Sequence, residues 1–177
     1  MTAAKKPTGK PKEKKTASAT PSAAVKLIAT NPNAKRNYFI EDTLEAGIVL
    51  GGTEVKSLRQ QSPNISDTFV EIRQLKDSLE AWLINAYIPE YSHGTVWNHE
   101  PKQKRKLLLH RKELERLFGL TTQKGLTVVP LKLYFKRGKV KVLVGMGAPK
   151  KLHDKRDTLK KKGAEREMAA ALKNSKR

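Results

Sequence analysis

The 177-residue sequence contains no cysteine. Disulfide bonds, thiol catalysis and cysteine-ligated zinc are therefore excluded, and the composition fits a reducing compartment, which we expect to be the cytoplasm. It also lacks any run of 18 apolar residues, so a membrane-spanning helix is excluded. Neither terminal segment contains a Trp or Phe that would anchor a helix on a membrane surface. We therefore expect no membrane partner.

Acidic residues are scarce: 17 Asp and Glu stand against 37 Lys and Arg, giving a formal net charge of +20. Residues 1–30 carry +6 of this charge, residues 31–147 carry +7, and residues 148–177 carry another +7. Such a density of positive charge in two short terminal segments is typical of proteins that bind a polyanion. Because a membrane surface is less favoured, nucleic acid is the expected partner.

The composition divides the chain into three parts. Residues 1–30 are rich in Lys, Ala, Thr, Ser and Pro, so we predict a disordered basic arm. An organelle transit peptide would be rich in Arg, but the first Arg is Arg36. Residues 31–147 form the predicted core domain. Residues 148–177 are predicted to be a basic tail that is disordered when free and helical along a polyanion, because Asp157 and Lys161 form an i, i+4 pair.

Residues 125–144 have the clearest pattern in the core. Leu133 and Phe135 alternate with lysines, which predicts a strand with one buried and one basic face. Arg137-Gly138 predicts a two-residue turn that pairs Phe135 with Val140 and places Lys136 opposite Lys139. That lysine pair is unfavourable unless an anionic group lies above it. Pro130 indicates an edge or a bulge, and the apolar pattern stops after Val144.

The other predicted elements are short. Strands are predicted at 37–40 and 45–50 around a turn at 41–43, and at 68–73 and 79–88. Trp82, Ile84, Ala86 and Ile88 are predicted to share the core face of the last strand. One helix is capped by Thr53 and buries Val55 and Leu58. A second begins at Leu109 or His110, buries Leu114, Leu117 and Phe118, and ends at Gly119.

About six short strands with two brief helices predict a mainly β fold. A small closed or nearly closed barrel of the oligonucleotide-binding (OB) type fits this size, and a β-sandwich is the alternative.

No pattern of catalytic or metal-ligating residues stands out. His93, His99 and Glu100 lie in a loop at 90–105, but their spacing matches no known metal motif. His99-Glu100 and His153-Asp154 are the adjacent acid–base candidates, and neither belongs to a catalytic constellation. We therefore predict a protein that is not an enzyme, with no catalytic residue, metal or cofactor.

Two basic groups are candidate phosphate contacts. Lys56 and Arg59 are three residues apart on the first predicted helix, and Lys104, Arg105 and Lys106 precede the apolar triplet 107–109. The sequence leaves open whether these side chains bind phosphate or form an ordinary solvated surface.

Five blocks of sequence resemble the small protein B family, the SsrA-binding proteins of bacteria. They are YFIEDTLEAGIVLGGTEVKSLR, NISDTFV, KRKLLLHRKEL, KGLTVVPLKLYFKRGKVKV and KKLHDKR, and they occur in the family's order from Asn31 to about Arg156. The resemblance implies an OB-type barrel that binds the tRNA-like domain of transfer-messenger RNA (tmRNA). It also implies trans-translation: delivery of this RNA to the A site of stalled ribosomes, so that nascent peptides are tagged for degradation. Elongation factor Tu is the expected further partner, through the RNA complex.

The resemblance also implies site residues. The acidic residue of the EAG segment supports RNA binding in the family, and here it is Glu45; the LLLH segment adds Leu108 and His110. The family's tail is needed on the small ribosomal subunit, where it becomes helical in the empty mRNA channel beyond the decoding centre. The matching tail residues are Lys150, Lys151, His153, Asp154, Lys155 and Arg156.

The sequence departs from the family at two points. Pro149 replaces the usual Gly before the Lys-Lys pair, which restricts the direction in which the tail leaves. Pro32 and Asn33 replace basic residues after Asn31, so one RNA contact is expected to be missing there. Two other classes remain open: a general single-strand RNA binder would not prefer the tRNA-like domain, and a ribosomal structural protein would be present in all ribosomes.

Overall fold

A computed structural model describes residues 25–76, 78–94 and 97–151, together with Asp154, Arg156 and Met168. Its strands are β1 (Val25–Thr30), β2 (Tyr38–Ile48), β3 (Phe69–Leu75), β4 (Ser78–Ile84), β5 (Arg105–Leu108), β6 (Thr127–Lys136) and β7 (Lys139–Pro149). Its helices are α1 (Ala34–Asn37), α2 (Gly52–Gln60) and α3 (Arg111–Lys124). In this part of the chain, no helix has the length and apolar character needed to span a membrane.

The strands form one antiparallel sheet that closes on itself. The order is β1-β6-β3-β4-β5-β2-β7, and β7 pairs again with β6. One edge of β6 is shared by β1, which pairs with 132–136, and by β3, which pairs at Val128. The other edge of β6 pairs with β7. The mainly β, OB-type barrel predicted from the sequence is therefore confirmed, with β1 added beside the closed ring.

The β6–β7 hairpin has the predicted register. Phe135 lies opposite Val140 and Lys136 opposite Lys139. The turn residues Arg137 and Gly138 have φ of 51° and 74°, the left-handed values that a two-residue turn of this kind requires. The register shifts after Pro130, which confirms the predicted bulge.

The core begins earlier than the predicted boundary at Asn31. Residues Val25–Thr30, which we assigned to the disordered arm, form β1 on β6. Most β1 side chains remain exposed, so backbone pairing with the available edge of β6 holds the strand more than burial does. Asn31 then secures the chain, since its backbone N–H donates to Leu131 O at 2.9 Å and its side-chain amide donates to Pro130 O at 3.0 Å. Residues 1–24 lie outside the described residues, as does most of the predicted tail.

The turn predicted at residues 41–43 is wrong. The chain from Tyr38 to Ile48 is one strand, and Glu41 of the turn-like segment lies in a bulge between Ile40 and Asp42 in its pairing with β7. Strand β7 also continues beyond Val144 to Pro149. Its apolar pattern stops there because small residues are needed: a Cβ on Gly147 would lie 2.1 Å from the Phe39 carbonyl oxygen.

The face predicted for the fourth strand is also wrong. Ala81 and Leu83 are buried, whereas Trp82 and Ile84 lie on the other side of β4. Asn85 has a φ of 62° and ends the strand. This left-handed residue breaks the alternation, so Ala86 and Ile88 return to the core in spite of their even numbering.

Both predicted helices have different ends in the structure. The N-cap of α2 is Gly51, whose N–H donates to Glu54 at 2.6 Å, so Thr53 is not the cap. Helix α3 passes through Gly119 and ends at Gly125, which has a φ of 62°. Leu58 and Leu117 are buried as predicted, and Val55 and Leu114 pack against the core.

We predict that Gly147→Ala destabilises the protein by about 1–3 kcal/mol, because the added methyl group forces β2 and β7 apart. The midpoint of urea denaturation measures this change. Gly52→Ala is the matched control, since a Cβ there meets nothing within 4 Å. Equal stability of the two variants would contradict the close approach of the two strands.

Candidate functional site

One surface of the barrel carries residues from four neighbouring strands. Tyr134 lies opposite Lys141, Lys141 opposite Gly47, and Gly47 opposite Leu108, so a single row crosses β6, β7, β2 and β5. A second row contains Lys132, Leu143 and Glu45. Because side chains alternate along a strand, these two rows share one side of the sheet. We call this surface the outer face; it comprises Lys132, Tyr134, Lys136, Lys139, Lys141, Leu143, Glu45, Gly47, Lys106 and Leu108.

Glu45 is the anionic group among the lysines of the outer face. Its carboxylate accepts a hydrogen bond from Tyr134 Oη at 2.6 Å and another from Lys136 Nζ at 2.8 Å. Lys141 Nζ lies 3.8 Å away. Lys136 and Tyr134 together hold the pKa of Glu45 below its usual value, which outweighs the opposing effect of burial. Glu45 thus supplies the negative charge needed near the Lys136–Lys139 pair.

Tyr134 is held in its protonated form. Burial raises the pKa of this phenol, and the hydrogen bond to Glu45 raises it further. The hydroxyl therefore donates to Glu45, while the ring lies between Lys132 and Lys136 along β6. Only 9% of Tyr134 is exposed, so this residue supports the lysines of the outer face and does not present its ring for stacking.

Leu108 and Glu45 are brought onto the same face. Leu108 is 54% exposed, and its neighbour across the pair is Gly47, where a Cβ would lie 3.1 Å from the Leu108 Cβ. A groove beside Leu108 is also lined by Val55, Lys139 and Lys141. His110 is exposed two residues further on, at the N-cap of α3.

The other basic candidates differ in their surroundings. Lys56 and Arg59 are exposed on α2, and Lys104 is exposed before β5. Lys106 is opposite Trp82 and its Nζ donates to Glu80 at 2.5 Å. Trp82 Nε1 donates to the same carboxylate at 3.1 Å. The indole that we placed in the core therefore lies beside Lys106 on the outside of the barrel.

The structure contradicts a phosphate contact at Arg105. Its guanidinium is buried and donates to Glu54 at 2.7 Å, with both side chains 1% exposed. Its remaining donors reach the carbonyl oxygens of Ala86 at 2.6 Å, Gln103 at 3.0 Å and Pro101 at 3.0 Å. The strand pattern contained the signal for this burial, because Arg105 has the same parity as the buried Leu107.

Glu54 was missed by the sequence analysis. Burial raises its pKa, but hydrogen bonds from Gln103, the Gly51 N–H and Arg105 outweigh that effect and hold the pKa below its ordinary value. Glu54 therefore remains ionised beside Arg105. This buried ion pair joins α2, the loop after β4 and β5.

The start of the tail is attached to the barrel. Lys150 N–H donates to Asn37 O at 2.8 Å, its Nζ donates to Lys35 O at 3.0 Å, and the same Nζ lies 4.7 Å above the Phe39 ring. Lys151 is exposed, and its N–H donates to Asp154 at 3.3 Å. Arg156 is exposed, while His153 and Lys155 lie outside the described residues.

His99 has a structural role in the interior of the protein. Its ring is buried, with Nδ1 3.1 Å from Thr53 Oγ1 and Nε2 3.1 Å from Pro89 O. Within the described ranges, no group of three or more His, Asp or Glu side chains is placed to hold a metal ion.

Replacing Arg105 with Ala should destabilise the protein by about 3–5 kcal/mol, since Glu54 would keep a buried charge without its cation. Lys106→Ala serves as the neighbouring control and should cost at most about 1 kcal/mol, because the Lys106–Glu80 pair is partly solvated. Urea denaturation of both variants provides the comparison. If both variants lost a similar free energy of unfolding, burial of the Glu54–Arg105 pair would not be what makes it important for stability.

The contribution of Glu45 to the stability of the folded state should depend on pH. Its pKa is lowered from 4.5 by folding, so its ionised form stabilises the folded state above pH 4.5, and this stabilisation is lost as the pH falls through the lowered pKa. We expect the free energy of unfolding of Glu45→Gln to lie below that of the original chain at pH 7 and to approach it in acid. A constant difference across this range would refute the assignment.

Comparisons with known proteins agree with these features. The model of the SmpB protein family matches residues 28–174. The SsrA-binding protein of Shouchella clausii is 51% identical over 148 residues, which cover 84% of this chain and 92% of the relative. The SsrA-binding protein of Brucella canis is 50% identical over 154 residues, covering 86% and 95% of the two chains.

A solved structure gives the same result for the fold. One of its chains superposes with a TM-score of 0.58 and 45% sequence identity, covering 74% of this chain and 93% of that chain. The structure is described as "tmRNA-SmpB: a journey to the center of the bacterial ribosome". From the family match and the extent of these identities, the chain belongs to the SmpB family of SsrA-binding proteins.

Proposed function

We propose that this protein binds tmRNA and acts with it in trans-translation, the rescue of stalled ribosomes. The observation that carries the proposal is the match to SsrA-binding proteins at 51% identity over 92% of the relative's length. The outer face supports it, since Glu45 and Leu108, which the family resemblance identifies, lie together among exposed or partly exposed lysines. The protein acts as an RNA-binding protein and has no catalytic role in this proposal.

The outer face binds the tRNA-like domain. Lys132, Lys136 and Lys141 provide charge for the RNA backbone, and exposed Leu108 provides an apolar contact for an unpaired base or a ribose. Glu45 acts by holding Tyr134 and Lys136 in place. Further contacts with this RNA are proposed at Arg59, Lys104, Lys106 and His110. Lys56, which lies beside Tyr91, is proposed as a phosphate contact for a different RNA segment.

The tail binds the ribosome. Strand β7 runs from the outer face at Lys141 to the tail at Lys150, a separation of about 30 Å along an extended strand. The two surfaces can therefore contact different RNAs at once. A helix of roughly 25 tail residues would span ~37 Å, enough to occupy an mRNA channel near the decoding centre of the small subunit.

The tail senses whether that channel is empty. Residues 148–177 carry a net charge of +7, so their binding to ribosomal RNA depends on counterion release and weakens with salt. An mRNA in the channel would occupy the same space and exclude the tail. In this scheme the tmRNA complex, with elongation factor Tu attached through the RNA, is accepted at the A site of stalled cytoplasmic ribosomes.

Truncation after Ala148 should separate the two activities. We expect the truncated protein to keep its affinity for the tRNA-like domain within about twofold, because the outer face is intact, while peptide tagging is abolished. Gel-shift titration and a reconstituted tagging assay measure the two quantities.

The control is Leu108→Ala in the full-length chain, which should weaken RNA binding while leaving the tail in place. A truncated protein that no longer binds tmRNA would contradict the division into two surfaces. Full RNA affinity in Leu108→Ala would refute the outer face as the RNA site.

A further inference from the structure

A group of aromatic side chains lies on the loop between β4 and β5, outside the strands of the outer face. Trp97 is 89% exposed, the highest value among the exposed large hydrophobic residues in the described part of the chain. The rings of Tyr91 and His93 are in edge contact, with centroids 5.5 Å apart. Lys56 Nζ on α2 lies 5.6 Å from the Tyr91 centroid. We call Tyr91, His93 and Trp97 the aromatic loop.

The backbone that carries these rings is fixed by buried and half-buried polar groups. The Asn98 side chain accepts from Tyr91 N–H at 3.3 Å and donates to Tyr91 O at 3.0 Å. The next residue, His99, is anchored to Thr53 on α2 and to Pro89 O. Gly94 is required for the close turn, since a Cβ there would lie 2.6 Å from Asn98 Nδ2. Tyr91, Asn98 and His99 are therefore held in place, while the Trp97 indole remains in solvent.

A single exposed apolar residue is common on protein surfaces and needs no explanation. Here an exposed indole directly precedes Asn98, and Asn98 holds Tyr91, whose ring contacts a second ring and a lysine. Aromatic faces beside a cation suit unpaired nucleobases, because a base can stack on the ring while the cation binds the adjoining phosphate. A chain of net charge +20 also favours an anionic ligand over an apolar protein surface.

We propose that the aromatic loop is a second RNA-binding site, which takes one or two unpaired bases of single-stranded RNA. Trp97 stacks on one base, and Lys56, beside Tyr91, contacts a phosphate of the same RNA strand. The site is separate from the outer face, so it can hold a second RNA segment while the tRNA-like domain is bound. Glu90 and Glu100 flank the loop, so stacking contributes more here than counterion release does, and binding depends less on salt than at the outer face.

The test uses the full-length protein and a single-stranded RNA hexamer of mixed sequence, at about 0.3 M salt to suppress binding by the basic tails. We expect saturable quenching of tryptophan emission. Fluorescence anisotropy of a labelled hexamer should show about tenfold weaker binding by Trp97→Ala, which corresponds to ~1.4 kcal/mol of lost stacking. Trp97→Phe, which keeps an aromatic ring, should recover most of the affinity.

Phe69→Ala is the matched control, because Phe69 is an aromatic residue on β3 that is 43% exposed and does not belong to the aromatic loop. It should bind the hexamer like the original chain. Equal hexamer affinity in Trp97→Ala and Phe69→Ala would overturn the proposal and leave Trp97 as a protein contact.

Competition tests whether the site is separate. Saturation of the protein with the tRNA-like domain should leave hexamer binding unchanged, and Trp97→Ala should bind that domain with full affinity. Displacement of the hexamer would overturn the proposal of a second site. Both results can be told apart from failure of the proposed function. That function is tested independently, by the binding of the tRNA-like domain to Leu108→Ala.

Discussion

The ion pair between Glu54 and Arg105 connects the parts of the molecule on which both proposed RNA surfaces depend. Arg105 begins β5, which carries Leu108 onto the outer face, and its guanidinium also binds three carbonyl groups of the chain between β4 and β5. Glu54 lies on α2, two residues before Lys56. A buried charge pair is costly to desolvate, and it is tolerated here because both partners have further hydrogen bonds. The pair thereby ties α2 to β5 and to the chain between β4 and β5.

On the outer face, one acidic side chain orders a group of lysines. Lysines on adjacent strands repel one another and would otherwise move independently. A single carboxylate at Glu45 contacts Tyr134, Lys136 and Lys141 at distances of 2.6 to 3.8 Å, at the expense of one unit of positive charge. An acidic residue can therefore support the binding of an anion by organising the cations around it, which accounts for Glu45 in a surface otherwise made of basic, aromatic and apolar groups.

The sequence pattern was sufficient to predict those features of the fold that adjacent residues determine. The alternation around Leu133 and Phe135 and the Arg137-Gly138 turn determined the hairpin register, because strand period and turn type are properties of adjacent residues. Prediction failed where a distant contact overrides the pattern. Strand β2 continues through a turn-like segment, with a bulge, because it pairs with β7, and Asn85 reverses the faces of the chain after β4. Arg105 was assigned to phosphate because charge alone does not reveal a partner 51 residues away in the chain.

Strand β7 has a mechanical consequence for the tail. It is paired along its length with β6 on one side and β2 on the other, and the chain leaves it at Pro149, directly before Lys150 contacts Lys35 and Phe39. Tension applied to the tail is transmitted along the strand axis and loads two ladders of transverse hydrogen bonds in shear, so that many bonds share the force instead of opening one after another. The pairing on both sides of β7 therefore favours a barrel that stays folded when force is applied through its C-terminal extension.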